Sequence, residues 1–221
     1  DKMELIVSGG TFTEYPPGYL ECFIRDAVWT CNTWYSAPPR AKLSVGEEIL
    51  LNETAKVKII GVTIETRPDA LDDVWIERFR RWGITRVQLG VQHTDDAILR
   101  KINRGHDLSA AVRAFRLLKN NCFKIDIHVM PDLPTATPEG DKTMFDLIYN
   151  HPDLAVDQVK IYPCQTTPWS VIKRWHDSGK YVPYSEAQGQ DVLQEVISYG
   201  MVTCPPWIRL PRVVRVIPMG Y

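Results

Sequence analysis

Short, almost wholly apolar runs alternate with longer stretches whose apolar residues recur every three or four positions. The short runs are Met3–Ser8, Val57–Glu65, Arg86–Val91, Lys124–Met130 and Gln158–Tyr162, all rich in Val and Ile. They read as strands buried on both faces, the pattern of a parallel sheet covered by helices. The longer stretches predict helices over 19–34 and 46–56, then 72–82, 95–102 and 108–121. Three more are predicted over 138–149, 168–178 and 186–199. Pro38-Pro39 separates the first two. Asp107 before Leu108 and Ser185 before Glu186 read as N-caps. A last strand-like run lies around 212–217. Such βα alternation implies right-handed crossovers and the α/β class, here a partial (β/α) barrel of parallel strands. No repeat or long linker interrupts it, so residues 1–221 read as one barrel domain.

In parallel α/β folds ligands bind at the carboxyl ends of strands, and every predicted strand here ends on polar, Gly or Pro residues. The ends are Ser8-Gly9-Gly10-Thr11, Glu65-Thr66-Arg67-Pro68-Asp69, Gly90-Val91-Gln92-His93, His128-Val129-Met130-Pro131-Asp132 and Lys160-Ile161-Tyr162-Pro163. Gly9-Gly10 offers bare peptide groups to a ligand, or forms a plain tight turn. Glu65, Arg67 and Asp69 could grip a zwitterion through carboxylate–ammonium and guanidinium–carboxylate pairs. They could equally pair with one another and brace the rim. Asn103-Arg104-Gly105-His106 falls between two helices, either presenting Arg104 to a phosphate or forming a bare corner capped by Gly105. His128 reads as a rim histidine, with no partner at zinc-ligand spacing. Lys160 shares a strand face with Tyr162, where a lysine is costly unless it is paired or functional.

Composition narrows the choice. A net charge of −1 leaves no global basic field, so any nucleic-acid contact must be a local patch. Arg209, Arg212 and Arg215 near Trp207 are the best candidates for phosphates and a stacked base. Five widely spaced cysteines without CxxC suit reduced, cytoplasmic thiols better than a disulfide framework. No apolar run approaches the ~20 residues of a membrane helix. The abrupt start at Asp1 reads as a piece of a longer chain.

Taken together, ELIVSGGTF (4–12), GVTIETRPD (61–69), TRVQLGVQ (85–92), NRGH (103–106), VMPDLP (129–134), VKIYP (159–163), 178–184 and 205–218 resemble the Elongator catalytic subunit family. The resemblance runs in family order over nearly the whole chain. It implies a radical-SAM barrel in which a [4Fe–4S] cluster cleaves S-adenosylmethionine. The resulting radical activates acetyl-CoA, and the wobble uridine of tRNA is carboxymethylated at ring carbon 5. By that resemblance Gly9, Gly10, Thr11, Glu65, Arg67, Asp69 and Gln92 bind S-adenosylmethionine. His128, Lys160 and Tyr162 serve the reacting centre, and Arg104, Arg209, Arg212 and Arg215 contact RNA. The expected partners are tRNA and other Elongator subunits or a second copy of the chain. Three departures accompany the match. The family's three cluster cysteines lie upstream of it, so no metal ligand is expected in this chain. The C-terminal acetyltransferase domain is missing, and Cys164-Gln165-Thr166-Thr167 differs from better-known members. A fragment of this kind is expected to be inactive by itself. The competing readings are an inert barrel that binds tRNA or partner subunits, and a radical-SAM enzyme acting on a small molecule.

Overall fold

The computed structural model describes residues 1–214 and divides them into two compact units. One comprises Asp1–Leu89 with Leu117–Ile125; the other comprises Gly90–Arg116 with the described chain from Asp126 onward. The strands follow one another in the sheet in sequence order.

In the first unit β1 (Lys2–Val7) lies parallel to β2 (Lys58–Thr66), with Val7 opposite Ile64. β2 in turn lies parallel to the start of β3 (Arg86–Gln92), with Thr66 opposite Leu89. Pro17, in the first helical turn where its missing N–H costs nothing, opens α1 (Pro17–Thr33). Leu20, Ile24, Val28 and Cys31 form its buried stripe. A Ser44–Glu47 capping box starts α2 (Val45–Asn52). On α2 the fully buried Glu48 accepts from Arg40 Nη1 at 2.7 Å and Nη2 at 2.6 Å, and from the Leu43 N–H at 2.9 Å. Asp72 caps α3 (Asp73–Arg81) by accepting from the Trp75 N–H at 2.8 Å. Phe79 from α3 meets Phe12 and Phe123 edge-on at 6.1 and 6.4 Å, the aromatic centre of this unit.

In the second unit β4 (Lys124–Val129) pairs in parallel with β5 (Gln158–Ile161), and β5 with β6 (Arg209–Val213). The Met130 N–H donates to the Gln92 carbonyl at 2.7 Å, joining the ends of β3 and β4. The helices are α4 (Asp96–Lys101), α5 (Leu108–Asn120), α6 (Pro138–Asn150), α7 (Val171–Asp177), α8 (Tyr184–Ala187) and α9 (Gln190–Val202). α6 and α9 pack closely. A Cβ on Gly200 would stand 2.7–2.8 Å from the Phe145 ring, and the Tyr149 hydroxyl donates to the Gly200 carbonyl at 2.7 Å.

Boundaries differ from the sequence reading in several places. The helix expected over 46–56 ends at Asn52. The helix expected over 168–178 starts at Val171, because the Ser170 side chain accepts from the Lys173 N–H at 3.1 Å and caps it there. The helix expected over 186–199 is two, split at Gly189, whose φ of 108° is not helical. Ser185 is not a cap. It is buried, and its hydroxyl donates to Asp132. The last strand also begins earlier than the run around 212–217, whose final residues lie outside the described chain.

Candidate functional site

In the first unit, SGGTFT follows β1 just as ETRPD completes and follows β2. Gly9 and Gly10 have φ of 131° and 98°, and a Cβ at either would meet nothing within 4 Å. Backbone conformation rather than crowding therefore selects glycine, and the bare peptide groups face open space where a ligand can approach. The Thr13 and Thr66 hydroxyls lie 3.0 Å apart and tie this loop to the end of β2. Two members of ETRPD pair with each other. Arg67 Nε donates to Asp69 Oδ1 at 3.0 Å, and Arg67 Nη2 donates to Asp69 Oδ2. Glu65, half-buried and opposite Gln88 in register, is a further carboxylate near the end of β2. Carbonyls at Gly9-Gly10 and a carboxylate at Glu65 suit the ammonium end of S-adenosylmethionine. The donor set for an iron–sulfur cluster is different. Cys22 and Cys122 are exposed, Cys31 and Cys164 are buried, and no three His, Cys, Asp or Glu side chains group to hold a metal among the described residues. The described residues do not fit the cluster.

In the second unit, parallel register places His128 opposite Lys160 and Lys160 opposite Arg212. The alternation of strand side chains then sets the three on one face. The His128 ring meets Tyr162 edge-on at 5.4 Å. His128 is 9% exposed, and its pKa is pushed down to about 4. Burial is the largest cause, followed by the positive charges of Lys160, Arg104 and Arg212. At neutral pH it is an uncharged imidazole among cations, able to hydrogen-bond without carrying charge. Gln92, at the end of β3, has φ of 70°. Asp126, two residues before His128 on the same face and 1% exposed, went unnoticed in the sequence. An acid alternating with a histidine inside KIDIHV was the available signal.

Arg104 and His106 turn toward the strand end. Arg104 donates to the Gly90 carbonyl through Nη2 at 2.8 Å and Nε at 3.2 Å, with His106 Nε2 3.1 Å from the same oxygen. A Cβ at Gly90 would lie 2.2 Å from Arg104 Nη2, so a larger residue there would displace the guanidinium. Of the three arginines proposed near the C-terminus, two are described. Arg212 is beside Lys160, whereas Arg209 pairs with Gln158 at the start of β5, and Arg215 lies outside the described residues. Trp207 precedes β6, at Arg209's end of the strand.

A buried polar network that sequence reasoning missed holds the MPDLP turn. Asp132, with φ of 65°, donates its N–H to Asp141 Oδ2 at 2.8 Å. Its carboxylate accepts from the Tyr184 N–H at 2.7 Å and from the Ser185 hydroxyl. Its carbonyl accepts from the Tyr181 hydroxyl. Asp141 also accepts from the Tyr184 hydroxyl at 2.7 Å and lies 3.0 Å from His93 Nε2. Burial raises the Asp132 carboxyl above its usual range, and the Ser185 hydrogen bond opposes that rise.

The chain matches known proteins along its whole length. It is 37% identical over 218 residues to a tRNA uridine(34) acetyltransferase of Methanocaldococcus infernus, covering 99% of this chain and 39% of that protein. It is 34% identical over 219 residues to human Elongator complex protein 3, covering 99% and 38%. The chain thus spans about two fifths of the length of these curated relatives. The solved structure of archaeal Elp3 from M. infernus superposes with a TM-score of 0.89 at 37% identity, over 99% of this chain and 49% of that one. The expected α/β partial barrel of parallel strands and the Elongator-type resemblance are both borne out by that match. Residues 3–147 match the Radical SAM superfamily, and the chain belongs to it.

Proposed function

We propose that this chain is the S-adenosylmethionine-binding part of a cytoplasmic enzyme that modifies the wobble uridine of tRNA. The modification is a carboxymethyl group at ring carbon 5, with acetyl-CoA as co-substrate. Similarity at 37% identity over 99% of the chain to a tRNA uridine(34) acetyltransferase carries the reading. The strand-end chemistry supports it. When bound, S-adenosylmethionine supplies a carbon radical that abstracts hydrogen from an unactivated carbon.

The chain's own residues bind, orient and shield. Gly9 and Gly10 present carbonyls to the methionine ammonium, with Thr11 beside them, and Glu65 adds a carboxylate. The Arg67–Asp69 pair stiffens the turn that carries it. Gln92 donates to ribose from its constrained backbone. Neutral His128 and Tyr162 line the reacting centre without adding charge, and Lys160 with Arg212 attracts the anionic substrate. Arg104 fixes the end of β3 through the Gly90 carbonyl and adds positive charge facing RNA. Arg209 serves a more distant phosphate, and the same role falls to Arg215. Ligands for a [4Fe–4S] cluster are supplied from outside the described residues. Other Elongator subunits or a second copy of the chain complete the assembly. Among the described residues no helix is long and apolar enough to cross a membrane.

Deleting the gene and analysing tRNA nucleosides by mass spectrometry tests the proposal. Carboxymethyl-type wobble uridines should disappear and return on complementation. An unchanged nucleoside profile removes the assignment in favour of an inert barrel or a small-molecule enzyme.

A further inference from the structure

Trp169 is 98% exposed, with φ of 68°, a backbone region that an L-residue rarely adopts. It lies on the segment leaving the carboxyl end of β5, downstream of Lys160 and Tyr162. The turn that holds it is well built. The Ser170 hydroxyl donates to the Thr167 carbonyl at 2.7 Å, the Thr167 N–H donates to the Gln165 carbonyl at 2.9 Å, and Ser170 caps α7. A residue just before an N-cap commonly folds back on an apolar side chain in the first helical turn. Here the partner position is Arg174, so the indole has nothing apolar to cover it. The apolar face of α7 is already engaged, since Ile172 and Trp175 pack on Leu133, Cys164 and Tyr181. No acidic residue occurs between Pro163 and Trp175, while Lys173 and Arg174 follow closely. Lys173 pairs with Asp177, which leaves Arg174 as the cation at the partner position. An exposed indole near an arginine, at the functional end of a strand, is the chemistry that stacks a base of a polyanionic single strand.

We infer that Trp169 is a stacking platform for an unpaired base of the RNA substrate. The inference rests on the proposed tRNA reading and names a contact within it. The test measures binding of the full-length protein to an anticodon stem-loop oligoribonucleotide. Anisotropy gives affinity, and 2-aminopurine placed in the loop reports stacking. Trp169→Ala should weaken binding about tenfold and restore 2-aminopurine fluorescence, and Trp169→Phe should stay within about threefold of wild type. The salt dependence should be the same in all three, because no charge is removed. Circular dichroism of both variants should match wild type, since an indole this exposed supports no core.

Wild-type binding with an unaffected Trp169→Ala overturns the inference and leaves the tRNA reading standing. A loss that Phe does not restore overturns it too, assigning the indole to a protein contact. If the wild-type protein binds no RNA, both fall.

Discussion

His128→Gln tests the electrostatics of the second unit directly. In an unfolded chain a histidine takes up its proton near pH 6.5, whereas here protonation waits until about pH 4. The folded-state value is depressed, so the unfolded chain binds more protons between these limits. Stability from this group is therefore complete above pH 6.5 and falls as the pH drops toward 4. At about 1.4 kcal/mol per pH unit, the full shift corresponds to roughly 3 kcal/mol, of which about 2.5 is expressed by pH 4.5. Urea denaturation of both proteins at pH 7.5 and 4.5 isolates the effect. Glutamine removes the edge contact with Tyr162 at either pH, so that loss cancels in the difference. Wild type should lose about 2.5 kcal/mol more than the variant on acidification. The chain has five histidines, and the imidazole resonance missing from the variant assigns His128 for a direct NMR titration. Equal losses in the two proteins, or a ring that titrates near 6.5, would refute the idea of a buried neutral imidazole among cations.

Three further outcomes are expected. Gly200→Ala should cost about 1–3 kcal/mol in denaturant unfolding. Overpacking against the Phe145 ring, which also pushes apart the helices that the Tyr149–Gly200 hydrogen bond ties, outweighs the ~1 kcal/mol helix-propensity gain, and an unchanged midpoint would show that the two helices separate freely. Arg40 holds the Glu48 carboxyl down to about 2, so its stabilisation is present above pH 4.5 and lost as the pH falls toward 2. After allowing for the solvent around Arg40, wild type should lose about 2 kcal/mol more than Glu48→Gln between pH 5 and 2.5, measured by urea denaturation at each pH. Lys160→Ala should abolish carboxymethyl-uridine formation in a complemented strain while shifting the thermal midpoint by only a few degrees, and normal product in that strain would remove Lys160 from the reaction.

The strands were legible because burial on both faces leaves largely apolar runs, but the register that sets His128, Lys160 and Arg212 side by side was visible only in the fold. What was hidden depends on partners far along the chain. Ser185 stands in sequence like a helix cap, yet Asp132, 53 residues earlier, takes its hydroxyl. The sequence left Arg104 as a phosphate contact or part of a bare corner, and it gave no sign that Gly90, 14 residues earlier, receives its guanidinium. His93 and Asp141 are separated by 48 residues, and nothing in either local sequence announces the other. Arg67 and Asp69 are adjacent enough to pair, but only the fold decided between pairing and ligand capture. Arg209 and Arg212 show the converse, since neighbours three apart in sequence stand about 10 Å apart along an extended strand.

The interlocked group around the MPDLP turn has a consequence for how this scaffold diversifies. His93, Asp132, Asp141 and Tyr184 satisfy one another out of reach of water, so replacing any one strands its neighbours. Drift at these four positions is confined to coordinated changes. The stretch from Gln165 to Trp169 lies outside this network, and it emerges from the same strand that bears Lys160. New substrate preferences can therefore arise through its exposed Gln165, Pro168 and Trp169 while the frame beneath them stays fixed.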